Sequence, residues 1–132
     1  MEFDPERVRA NILKADTEDL LDRVTVWRAG MEPEAVAMIE AELQRRGIGA
    51  EQIAAHSAQR WATALPMPDG TAVRCSFCDR PAVIQGWGWH RIQGRGLAAL
   101  LSLLPLYRPR FLAYCAVHRP TTTSTGDRHP PA

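Results

Sequence analysis

Apolar residues recur at helical spacing through the first half of the chain. Asp4 ahead of Pro5 places a capping side chain before a proline at the first helical position, so a helix is expected over residues 5–14, with Val8 and Ile12 on one side. Asp16 or Thr17 can cap a second helix in which Leu20, Leu21, Val24 and Trp27 share a stripe, with Gly30 as its left-handed stop. Pro33 opens a third. Glu32 and Glu34 favour its positive end, Val36, Ile39 and Leu43 line one face, and Arg45-Arg46-Gly47 closes it. The short connection around Gly30 makes the second and third helices antiparallel neighbours, a helical hairpin. A fourth helix is expected over 50–63, with Ile53, Ala54, His56 and Trp61 available for packing, before Pro66-Met67-Pro68-Asp69-Gly70 breaks it.

Past residue 70 the pattern changes. Segments 71–75, 82–92 and 110–115 are short, β-branched or aromatic, and flanked by glycine or proline, which predicts strands. Between them, residues 97–106 are apolar on all sides, yet far short of the roughly 20 residues that span a bilayer, so no transmembrane segment is expected. That run is either a helical turn covering the core or an exposed docking or self-association surface. The fold class is therefore α+β: an acidic helical segment at 1–65 containing the helical hairpin, a linker at 66–70, a small β-rich module at 71–120, and a Thr- and Pro-rich tail at 121–132 expected to be disordered.

Charge sharpens that division. Residues 1–70 carry eight basic side chains against thirteen acidic ones, whereas residues 71–120 carry seven arginines against the single Asp79, although the whole chain of 132 residues nets only +1. Opposite signs in the two parts are a clue to partners. A hydrophobic content of 45% with 23% charged residues excludes wholesale disorder or a fibrous protein. The first residues, Met1-Glu2-Phe3-Asp4, lack the pattern of a secretory signal, and the expected location is the cytoplasm. Three cysteines cannot all pair as disulfides, and clustered cysteines in a reducing compartment point to metal.

Cys75-Ser76-Phe77-Cys78 is a C-x2-C knuckle and Cys115-Ala116-Val117-His118 a C-x2-H knuckle. Three thiolates and an imidazole are the donor set that tetrahedral zinc prefers, and four protein ligands leave no open position for water. One structural Zn2+ is thus expected on Cys75, Cys78, Cys115 and His118. The gap between the knuckles exceeds common spacings. Doubling a flexible loop costs only about 0.6 kcal/mol, however, against roughly 10–16 kcal/mol for a structural zinc site. A Cys75–Cys78 redox pair, an iron–sulfur cluster or unrelated buried cysteines are the competing explanations, and His90 is the rival fourth ligand.

These knuckles resemble those of zinc ribbons, small domains in which two knuckles on β-hairpins grip one metal, over about residues 74–120. A treble clef is the alternative, but it would carry the second ligand pair at a helix start, where this chain has Arg119-Pro120-Thr121. The Cys-Ser-Phe-Cys knuckle also looks like that of the zinc-binding domain of an AAA+ unfoldase, a resemblance that implies protein binding and dimerisation. Residues 18–24, Glu-Asp-Leu-Leu-Asp-Arg-Val, and 42–47, Glu-Leu-Gln-Arg-Arg-Gly, are similar to segments of uncharacterised bacterial proteins.

Two partner classes follow. In an extended strand Trp87 and Trp89 project to one face while Gly86 and Gly88 leave the other bare, an aromatic pair beside Arg91. With Arg95, Arg108 and Arg110 nearby, these residues form a candidate partner surface, and bases could stack on it while arginines hold phosphates of single-stranded nucleic acid. The favoured class is a protein partner, an acidic surface or a second copy, drawn by the complementary charge of the two halves. No enzyme and no small-molecule substrate are expected. A zinc-supported nuclease of the His–Asn–His type would need an asparagine in the module, and the one asparagine is Asn11; no Ser/His/Asp grouping or phosphate loop is spaced for catalysis.

Overall fold

The computed structural model describes residues 4–91 and 107–120, with 89–91 and 107–108 described through their backbone alone. Four helices, α1 (Pro5–Lys14), α2 (Thr17–Val24), α3 (Pro33–Arg45) and α4 (Ala50–Trp61), precede two strands, β1 (Ile84–Arg91) and β2 (Tyr107–Tyr114). The architecture is α+β, and no described helix is long and apolar enough to cross a membrane. The apolar run 97–106, Arg95, the tail 121–132 and the side chains of Trp89, His90, Arg91 and Arg108 lie outside the described residues.

The expected caps operate. The Asp4 carboxylate accepts the Glu6 and Arg7 N–H groups and that of Asp16 accepts Asp19 N–H at 2.7 Å, satisfying donors that a helix start leaves open. Ile12, Leu20, Val24, Val36, Ile39 and Leu43 bury together where α2 packs on α3 and α1 on α3.

The α2 terminus differs from expectation. Gly30 does not adopt positive φ, a conformation that among the described glycines belongs to Gly47 and Gly70. The helix instead stops at Val24, with Thr25 Oγ1 bonded to the Leu21 carbonyl at 2.7 Å, and a 3-10 turn follows at Arg28–Gly30. Packing explains the early stop. Trp27 leaves the expected stripe and, with Val26, buries with Ala64 and Ala72 against Trp61 in a second cluster. Val26 O accepts Ala72 N–H at 3.0 Å, and Trp27 Nε1–H donates to Ala72 O at 3.1 Å.

Segment 71–75 makes isolated bridges rather than the expected strand, Ala72 with Pro66 and Arg74 with Pro81. Prolines on the opposing segments remove the N–H donors that a longer ladder would need. In its place three backbone bonds close a ring: Leu65 N–H to Ala82 O at 3.0 Å, Val73 N–H to Leu65 O at 2.8 Å, and Ala82 N–H to Val73 O at 2.8 Å.

Two polar clusters stitch the helices. Asp22, only 2% exposed, accepts from His56 Nε2 at 2.6 Å and Arg60 Nε at 2.8 Å, tying α2 to α4, and Arg60 also reaches Glu18. Glu42 accepts from Arg45 and Arg46, and Arg46 continues to the Ala15 carbonyl at 2.9 Å, covering the C-terminal end of α1. The bonds from Arg45 and Arg46 hold the Glu42 carboxyl at about 2, against an ordinary 4.5. The unfolded chain therefore takes up that proton first as pH falls. The contribution of Glu42 is complete above pH 4.5 and is lost as pH drops towards 2. Urea titrations across this window should show the steeper pH dependence in the parent, and Glu42→Gln should flatten it.

Candidate metal centre and aromatic hairpin

Each knuckle is shaped by its own backbone. The Arg74–Pro81 bridge and the bond from Cys75 N–H to Arg80 O at 2.9 Å turn residues 75–78 back on themselves. The second knuckle leaves the end of β2 and turns through residues 116–118. Ser76 joins the two: its N–H donates to Ala113 O at 2.8 Å, and its hydroxyl accepts Ala113 N–H at 2.9 Å. Phe77 then stacks on Tyr114, with ring centroids 5.6 Å apart, and lies 5.7 Å from the His118 ring. Sequence reasoning passed over Ser76 and Phe77 as spacers. Their partners, Ala113 and Tyr114, lie 37 residues along the chain, so no local signal marked them.

The result is a cluster in which one atom from each of Cys75, Cys78, Cys115 and His118 lies within 4.8 Å of the others, a group that could hold a metal ion. Cys78 and Cys115 sulfurs are 3.7 Å apart, Cys75 Sγ and His118 Nδ1 3.7 Å, and Cys115 Sγ and His118 Nδ1 3.3 Å. A tetrahedron with metal–sulfur bonds of about 2.3 Å and metal–nitrogen bonds of about 2.0 Å has edges of about 3.8 and 3.5 Å. The donors thus sit close to ligand spacing, as free thiols rather than a disulfide.

The thiols are differently tuned. Burial works against the Cys75 thiolate, but N–H groups of Phe77, Cys115 and Cys78 outweigh it and bring that thiol down to about 6. Burial, with Cys115 and Cys75 close by, pushes the Cys78 thiol up. Cys115 is 1% exposed, whereas His118 is exposed, so the cluster opens on its imidazole side.

The hairpin leading into the second knuckle pairs β1 and β2 antiparallel, with Trp87 opposite Phe111 and Gly88 opposite Arg110. Trp87 is 75% exposed and Phe111 57%, their rings edge to face at 5.8 Å. Strand alternation assigns Arg110, Leu112 and Tyr114 to the other face. Of the residues expected to work together, Trp87 and Arg110 are therefore on opposite sides. The face behind the tryptophans is also not bare at Gly88, where a Cβ would collide with the Tyr114 hydroxyl and approach Leu112 Cδ1 at 3.0 Å; only Gly86 opens to free space. Two more arginines are engaged by the helices, Arg74 at 4.4 Å over the Trp27 ring and Arg80 at 3.6 Å from Glu18.

Because Ser76 is the hydrogen-bonded link between the knuckles, Ser76→Ala should lower the affinity for added metal by about 10- to 100-fold, as loss of a supporting hydrogen bond does at metal sites. A competition titration against a chromogenic chelator reads the change, and the helical circular dichroism should be unaltered. Comparison of the chain with protein-family models, curated proteins and solved structures finds no match.

Proposed function

We propose that this chain is a non-catalytic interaction protein whose C-terminal module is held together by one structural zinc ion. The observation that carries it is the convergence of three sulfurs and one imidazole nitrogen within 4.8 Å. Their softness and number match tetrahedral zinc. Cys75, Cys78, Cys115 and His118 would hold the ion, which would supply folding energy, since four protein ligands leave no position for substrate or activated water. In this reading the module is zinc-ribbon-like and residues 1–65 are its acidic companion.

The working surface is the hairpin, and its partner is a protein. Trp87 and Phe111 form an exposed aromatic row of the kind that anchors protein interfaces. Single-stranded nucleic acid is the second reading, favoured by the 75% exposure of Trp87. It is the weaker one because Arg110, the hairpin arginine whose side chain is described, belongs to the face opposite that indole, away from the phosphates of a strand stacked on it.

Purified protein should carry about one zinc per chain by elemental analysis. Cys115→Ser should lose the ion and unfold the hairpin while the helices persist; metal-free protein with unchanged folding overturns the proposal. Oligonucleotide titration at two salt concentrations decides the second reading, which falls if nothing binds at low salt.

A further inference from the structure

A two-stranded sheet is marginal on its own, and its two outer edges are not equivalent here. On the free side of β2, Ala113 has both backbone groups bonded to Ser76, and Pro109, two positions beyond Phe111, has no N–H to offer. That edge is closed at the metal end and blunted at the other. Since Ala113 points its backbone away from β1, its register partner Gln85 points away from β2, and so do Trp87 and Trp89. Among the described residues the sheet ends at β1, leaving these outward donors and acceptors as its edge.

The two faces beside that edge differ in chemistry. One carries the exposed Trp87 and Phe111. The other has free space over Gly86, the Tyr114 hydroxyl over Gly88, and the exposed Arg110 directly across from Gly88. Over Gly88 the Tyr114 hydroxyl takes the place of a side chain, so a third strand beside β1 would meet that hydroxyl first, with Arg110 about 10 Å away on the same face. Residues 71–120 hold a single acid, Asp79, and although Arg74 and Arg80 are turned to the helices, Arg110 stays exposed on the hairpin, so the charge there calls for an anionic occupant.

We propose that β1 accepts a third strand from a partner protein, an extended segment in which apolar and acidic residues alternate. The proposal rests on the protein-binding reading above and gives it a partner chemistry. Apolar side chains of the added strand pack on Trp87 and Phe111, the acidic ones between them point to Arg110, and its backbone bonds to Gln85, Trp87 and Trp89 supply affinity. The placement of Trp87 and Phe111 on one face and Arg110 on the other makes alternation, rather than composition, the recognised feature.

The test uses the full chain and a labelled ten-residue peptide alternating valine with glutamate, read by fluorescence anisotropy. Controls are the same residues in two blocks, the alternating peptide N-methylated on every second amide, and a ten-nucleotide thymidine strand. The alternating peptide should bind at least ten-fold more tightly than every control. Trp87→Ala and Arg110→Glu should each weaken it several-fold with zinc content unchanged. Metal-loaded protein that binds blocked and alternating peptides alike, or prefers the oligonucleotide, overturns strand addition and leaves the metal reading standing. Concentration-dependent dimers that the peptide does not dissociate also overturn it, in favour of a second copy on this edge. Metal-free protein that ranks the peptides in the proposed order supports the edge and overturns the zinc reading alone.

Discussion

Three backbone hydrogen bonds closed into a ring, through Leu65, Val73 and Ala82, carry the C-terminal part of the molecule. They join the chain leaving α4 to the chain running into the first knuckle and the chain running out of it. A ring of this kind satisfies buried peptide groups where prolines forbid a longer ladder, and it needs no regular strand. It also sets the direction in which Cys75 and Cys78 emerge. With Val26 and Trp27 bonded to Ala72 beside it, the ring bears on the helices as well as the knuckle, so the cysteine–histidine cluster is built against a packed wall.

The charge imbalance between the two parts of the chain is only partly spent inside it. Arg80 meets Glu18, and Arg74 lies over the Trp27 indole, both close to where the first knuckle approaches α2. The exposed Arg110 belongs instead to the hairpin, on the face away from the aromatic row. Local attraction to the helices and a surface turned outward are thus separate uses of the same residue type.

Much of this was legible in the residues themselves. The caps at Asp4 and Asp16, the prolines at Pro5 and Pro33 and the apolar stripes act through local rules, and α1 and α3 run where those rules place them. The two Cys/His pairs of the candidate metal cluster were legible too, because knuckle spacing is a short-range property. What was hidden depends on distant neighbours. Trp27 deserts the expected stripe because Ala64 and Ala72, far along the chain, offer it and Val26 a better burial. The sorting of Trp87 from Arg110 needed the register between strands, which neither strand states alone. The partners of Asp22 were overlooked although His56 and Arg60 stand four residues apart on α4, a helix with few large apolar side chains and so with a polar face to satisfy.

That last cluster constrains how this protein can vary. Asp22 serves His56 and Arg60 at once, and Arg60 in turn serves Glu18, which also faces Arg80 beside the first knuckle. Groups sharing partners in this way do not contribute independently. Replacement of Asp22 would strand His56 and leave Arg60 with Glu18 alone, and replacement of Arg60 would leave Asp22 with His56 alone and Glu18 with Arg80. Tolerated changes in descendants of this chain should therefore arrive in sets, with positions 18, 22, 56 and 60 drifting together while the exposed faces of the same helices vary one residue at a time.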